Sequence, residues 1–453
     1  MIPAEQLVDR VLDLATVDET IVIVTDTSEA SLRWAESSMT TNGVSTSRSW
    51  TVVSVSRTQG ESRVGIVTSS SVDSRDIAAV VSASESAARA ARPASDAMPL
   101  VTGARAPEDW DHPAARTEIG VFEQLAQDLS QGFDGSDRLY GFAHHQMHTT
   151  WLASSTGVRR RHVQPTGSVE INGKRGDASA WVGTGTTDFT DVATVKLLED
   201  LSHRLDWSSR TVELPAGRYE TVLPPSAVAD LMIYLMWMME GRSAHEGRSA
   251  LSRAGGTRVG ERLGALPFTL YSDPATLGLE TCPFLVTGHS DESVSIFDNG
   301  MDLPRTDWIR DGVVNALSYP RSAAREFAGV PAPPGANLVL DGEGSLTVDQ
   351  MVAETERGLL LTTLWYIREV DPATLLLTGI TRDGVYLVEN GEVVGALNNF
   401  RFNESPLDLL RRASQVGATE RTLPREWKDW FTRTAMPSLR VPDFHMSSVS
   451  EAR

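Results

Sequence analysis

A run of nine apolar residues, LMIYLMWMM from Leu231 to Met239, narrows the folds open to this chain more than any other stretch. It is about half of the ~20 residues that a bilayer-spanning helix needs. The run must therefore be buried inside a folded domain. Ser226 is the expected N-cap, giving a predicted helix over 226–240. At 453 residues the chain has length for two or three domains, each with its own core.

The balance of 41 Lys+Arg against 60 Asp+Glu leaves a net charge of −19, which repels phosphate backbones, so nucleic acid is not an expected partner. Cys282 is the single cysteine, so an internal disulfide or a thiolate zinc cluster cannot form, and a reducing cytoplasm is the expected location. The amino terminus carries acids where a signal peptide has lysines and then an apolar run, so no export or membrane role is expected.

Periodicity divides the chain. In the first half, helical faces are expected near 5–15, 73–91, 117–132 and 191–204. Strands are expected near Ile21–Val24, over a hairpin 49–67 turning at Gln59 and Gly60, and between 137 and 190. Ser155–Gly157 and Asn172–Gly173 mark turns there, and the proline-bearing stretch 93–113 reads as a surface connection. Residues 206–219 lack helical period and form the expected boundary between a domain over 1–210 and one over 211–453. In the second half, Asn390 and Gly391 supply the strongest hairpin signal, and Ser405 with Pro406 opens a helix expected to stop at Gly417. The predicted fold class is α+β in two domains: helices on an antiparallel sheet, then a mainly β, barrel-like domain.

Candidate chemistry is sparse. His245 and Glu246 open like a zinc-peptidase helix motif, yet the positions four and five after His245 are Ser249 and Ala250, so neither HExxH nor HExxxH is completed. A self-sufficient metal site would need His245, Glu246 and a distant ligand such as His289. His144, His145 and His148 sit in a strand-like context, where 144 and 148 share a face ~13 Å apart and 145 points away, too far to clasp one ion. Gly255, Gly256 and Gly260 match neither a dinucleotide nor a phosphate-loop spacing. No nucleophile elbow surrounds Ser154–Gly157 or Ser249, and no histidine neighbours Cys282 in sequence. Arg242, Arg248, Arg253, Arg258 and Arg262 make a basic island in an acidic chain. Such guanidinium groups suit substrate carboxylates or an acidic partner, so Arg242, Arg248 and Ser249 are candidate substrate-binding residues.

Several segments in order resemble the TldD/PmbA metalloprotease family: GRYETVLPPSAVADL (217–231), GRSALS (247–252), YSDP (271–274) and VENGE (388–392), with looser likeness at Glu29–Ala35 and Thr41–Gly43. The family has a zinc-bearing TldD type with HExxxH and a TldE (PmbA) type. By spacing back from Gly247, the zinc motif would fall on 232–237, which here reads MIYLMW. The resemblance therefore implies a TldE-like, non-catalytic subunit. It implies no cofactor on this chain, zinc on a TldD-like partner, and cytoplasmic cleavage of peptides or unfolded polypeptides in a heterodimer. The remaining alternative is a non-proteolytic scaffold protein.

Overall fold

The computed structural model describes residues 2–71, 73–103 and 106–451. Six antiparallel strands form the first sheet: β1 (Glu19–Ala35), β2 (Ser38–Thr58), β3 (Glu61–Ser69), β4 (Arg138–Ser154), β5 (Arg159–Arg175) and β6 (Ala178–Thr186), in the spatial order 3-2-1-4-5-6. Four helices lie on one face: α1 (Ala4–Leu14), α2 (Ile77–Ala90), α3 (Glu123–Phe133) and α4 (Thr194–Trp207). Strand alternation decides which residues meet them. Val22, Val24, Trp50, Val52 and Trp151 pack with Leu7, Val11, Ile77 and Val81 of α1 and α2. Leu32, Trp34, Val169 and Ile171 pack with Leu125, Leu129, Leu201 and Leu205 of α3 and α4.

The residues between them point to the opposite face, which splits in two. Ile21, Ile23, Val53, Val55 and Leu152 meet Phe284, Ile296 and Phe297 from the second half of the chain. Farther along β1, β4 and β5 the same face is polar. That polarity is why the apolar signal ends at Val24 although β1, 17 residues in all, runs on to Ala35. Backbone pairing to β2 and β4 continues unbroken through Asp26 and Glu29.

The second half builds a 14-stranded mixed sheet around one long strand, Thr434–Val449, which pairs with Gly217–Leu223, Leu338–Asp341, Phe400–Glu404 and Gln415–Thr422. The α+β class with helices on an antiparallel first sheet and a β-dominated second half is the observed architecture.

Three local expectations differ. Asn172 and Gly173 are not a turn; they continue β5 opposite Tyr140 and Leu139. A Cβ on Gly173 would come within about 3 Å of Leu201 and Leu205, so that glycine serves helix docking instead of a bend. Ser226 is not the cap of the apolar helix α5 (Pro225–Trp237): extended Pro224 precedes Pro225 at N1, where a missing N–H costs nothing. The helix opened by Ser405 and Pro406 ends at Arg412, because Gln415–Thr422 is drawn into pairing with the long C-terminal strand and Gly417 lies within it. Asn390 and Gly391 do form the hairpin turn, both at positive φ of 53° and 81°.

Candidate functional site

Helix α5 carries the apolar run as far as Trp237, and most of the run is enclosed. Met232, Ile233 and Leu235 are fully buried, and Met236 almost so. Tyr234 and Trp237 turn toward Trp427, with ring centroids 5.9 and 4.9 Å away. Zinc takes imidazole, carboxylate or thiolate, and residues 232–237 offer none of these. A thioether, an indole N–H and a phenol do not fit that ion, and a charge placed among them would be desolvated.

One buried carboxyl sits on the same helix and is fully occupied. Asp230 accepts the backbone N–H groups of Arg425 at 3.2 Å, Glu426 at 2.9 Å and Trp427 at 3.3 Å. The Trp427 indole N–H donates to the Asp230 carbonyl at 3.0 Å. Complete burial pushes the Asp230 pKa well up, against the pull of these three donors. Its geometry is that of a bracket that fixes the segment 423–433.

That segment ties the two halves of the chain together. The Arg425 guanidinium lies between the rings of Trp181 and Trp365, 4.8 and 4.9 Å from their centroids, and donates to Glu170 of β5 at 3.2 Å. Lys428 reaches the same carboxylate at 3.0 Å, and Trp181 donates its indole N–H to it at 3.2 Å. Arg421 pairs with Asp191 at 2.6 Å. Arg433 donates to the Pro165 carbonyl and the Thr166 hydroxyl; burial pushes its pKa down to about 10.

Beside this clamp a cleft of about 510 Å³ opens between the polar face of β4 and β5 and the 428–433 wall. Its floor carries Phe142, His144, Gln146, His148, Gln164 and Ser168, and its wall Lys428, Asp429 and Trp430. Trp430 stands 79 % exposed on that wall. His144 stacks on Phe142 and lies 3.5 Å from Glu29. Burial lowers the His148 pKa, with Glu29 opposing. Side-chain amides able to donate and accept, flanked by an exposed indole and a phenyl ring, suit an extended polypeptide whose main chain and apolar side chains are held together. His145 points to the helix face as the strand alternation requires, between the Thr117 hydroxyl at 2.6 Å and the Thr187 carbonyl at 2.8 Å.

The candidate residues from sequence lie elsewhere and are engaged with the chain itself. His245 ends a short helix, Gly241–His245, with its ring stacked flat on Phe327, centroids 4.3 Å apart. Arg242 covers the same phenyl ring and pairs with Glu326 and Glu246. Arg248 pairs with Glu246 at 2.8 Å and Glu292 at 2.9 Å. Ser249 is buried, and its hydroxyl accepts the Leu251 N–H. Arg258 pairs with Glu261, and Arg262 donates to the Asp311 carbonyl. His289 lies against Asp291 and Thr287 and is not brought to His245. Among the described residues no three His, Cys, Asp or Glu side chains converge in a metal-holding group. Cys282 donates weakly to the Phe284 carbonyl, and burial pushes its thiol up to about 11, far from a nucleophilic thiolate at neutral pH.

Sequence reasoning missed both the clamp and the cleft. The available signal was LPREWKDWFTR over 423–433, where two tryptophans and three cations crowd an aperiodic stretch.

The chain's residues 216–448 match the family described as the PmbA/TldA metallopeptidase C-terminal domain. Among solved structures it is similar to TldE from Thermococcus kodakarensis, with a TM-score of 0.78, 15 % identity, and coverage of 98 % of this chain and 99 % of that one. It is also similar to a protein from Thermotoga maritima named for a suspected role as modulator of a DNA gyrase, with a TM-score of 0.77, 16 % identity, and coverage of 97 % and 99 %. A Bacteroides thetaiotaomicron protein of the same description aligns with a TM-score of 0.77, 14 % identity, and coverage of 99 % and 100 %. No curated protein matches the sequence.

Proposed function

This chain belongs to the PmbA/TldD metallopeptidase family, and from that premise we propose that it is a TldE-type, non-catalytic subunit of a two-subunit zinc peptidase. A homologous TldD-type subunit with an HExxxH helix supplies the metal. This chain supplies part of the enclosure and a surface that holds extended or unfolded polypeptide, in the cytoplasm. The observation that carries the reading is α5. Where spacing puts a metal motif, this helix has buried Met232 and Ile233 and an aromatic group of Tyr234, Trp237 and Trp427.

The peptide-holding surface in this reading is the cleft over β4 and β5, with Trp430 on its wall. The basic island is a weaker candidate, since Arg242 and Arg248 are already committed to Glu326, Glu246 and Glu292. Purification of the chain from its native cell tests the partnership: an HExxxH homologue should come with it, and the pair should cleave unfolded peptide. Trp430→Ala, at an exposed position, should raise KM for peptide in the pair and leave kcat largely intact. Peptidase activity of the chain alone, abolished by His245→Ala, would overturn the reading.

A further inference from the structure

The cleft over β4 and β5 is closed at one end. Its floor runs from the paired Phe142 and Glu170 to the paired His148 and Gln164, ~20 Å of strand at ~3.3 Å per residue. Past that pair the second half of the chain covers the same face. The Gln164 side-chain amide donates to the Glu280 carbonyl at 3.1 Å. His162 meets the Phe284 ring edge to face, centroids 6.4 Å apart, and Leu152 packs in one cluster with Phe284 and Phe297. A polypeptide lying on the floor and running that way has to stop there.

Arg433 stands at this closed end. It lines the cleft and donates from Nη2 to the Pro165 carbonyl and the Thr166 hydroxyl. Burial is the main reason that the His148 and His162 pKa values are lowered, and the charge of Arg433 adds to it at both. The guanidinium itself is incompletely served. Among the described residues it forms no ion pair, Nη1 makes no hydrogen bond, and Nε is buried without a partner. Glu280 acts on it only from beyond ion-pair distance.

The other cations of this region are compensated. Arg421 has Asp191 and Arg425 has Glu170, while Lys428 on the cleft wall is held by Glu170 at the opposite end of the floor. The chain has 60 acidic residues to draw on, so a desolvated cation left without one beside a cleft points to an anion from outside. One guanidinium among amides and hydroxyls matches a single negative charge, and its planar fork suits a carboxylate.

On the premise that the cleft holds polypeptide, we propose that its closed end receives the C-terminal carboxylate of the bound chain, with Arg433 as the ion-pair partner. The pairing sets the direction in which the polypeptide lies, its C terminus at Arg433 and about six residues running back along the floor toward Phe142. An N-terminal ammonium in the same place would face the Arg433 charge and be repelled. The site thus selects chain ends over internal segments.

The test is fluorescence anisotropy with the full chain and unstructured six-residue peptides labelled at the N terminus, one ending in a free carboxylate and one in a carboxamide. The acid is expected to bind at least about tenfold tighter. Arg433→Gln should bring the acid down to the affinity of the amide, and Arg433→Lys should restore part of the difference. A carboxamide peptide with an internal glutamate should bind no better than the plain amide. Trp430→Ala reports on the cleft separately and should weaken acid and amide alike. Equal binding of acid and amide by the native chain, both weakened by Trp430→Ala, would overturn the carboxylate site and leave the cleft standing. Equal binding of the acid and the glutamate-bearing amide would overturn the assignment to the chain end. Peptides that do not bind, or that bind regardless of Trp430, would bring down the cleft and the site together. The comparison of acid with amide uses the native chain, so it decides the matter even where a substitution at Arg433 impairs folding.

Discussion

Glutamate 170 is the point on which the clamp between the two halves converges. It faces Arg425, Lys428 and the Trp181 indole N–H, and the Arg425 and Glu170 side chains are 17 % and 18 % exposed. Glu170→Gln leaves Arg425 as a mostly buried cation between two indole rings. Breaking a fully buried pair costs ~3–5 kcal/mol. The residual exposure and the two ring faces, each worth about 1 kcal/mol to the cation, lower that to about 2–3 kcal/mol. Burial already lowers the Arg425 pKa, with Glu170 the first group opposing it, so the carboxylate is what keeps the guanidinium charged at low cost. Arg425→Leu should cost less than Glu170→Gln, because Glu170 keeps Lys428 and the Trp181 indole N–H as partners and no buried cation is left unpaired. The double variant should therefore lose at least about 1 kcal/mol less than the sum of the single losses. Urea unfolding followed by tryptophan fluorescence reads all three directly. Single losses below about 0.5 kcal/mol, or strict additivity, would refute the idea that this contact fixes how the halves are joined.

Two further outcomes follow from buried polar groups. Asp230→Ala strands three backbone N–H groups and should cost about 3–5 kcal/mol, from a typical 1–3 kcal/mol per orphaned group with partial relaxation. A loss below about 1 kcal/mol in urea unfolding would show that the 425–427 backbone finds other partners. His145, His148 and His162 have pKa values lowered chiefly by burial. The unfolded chain binds their protons first, so the stability they contribute is present above about pH 6.5 and is lost as pH falls through the lower folded values. His162→Gln should make the acid limb of the urea midpoint shallower, and a curve parallel to that of the native chain would sink this assignment.

How far the sequence could be read depended on whether a feature was decided locally. The Asn390–Gly391 turn was legible because a two-residue hairpin needs positive φ at both positions, a demand those residues meet by themselves. The same kind of dipeptide at Asn172–Gly173 misled, because what selects glycine there is the approach of Leu201 and Leu205 from α4. His144, His145 and His148 followed the two-residue period of a strand, and their division between the two faces was readable in advance. The greasy character of α5 was equally plain. The cleft was not legible, because its floor and wall are separated by more than 250 residues, as the Arg425–Glu170 contact across 255 positions illustrates. The basic island misled for a related reason: its acidic partners Glu292 and Glu326 lie far along the chain and only folding delivers them.

A zinc-and-activity titration bears most directly on the subunit role. This chain and its HExxxH homologue are purified separately, loaded with zinc, and assayed on an unfolded peptide, each alone and then mixed at rising ratios. The account predicts no turnover from this chain at any zinc concentration, and a rise on mixing that saturates at a fixed stoichiometry. Full turnover by the homologue alone, or zinc-dependent turnover by this chain alone, would contradict it.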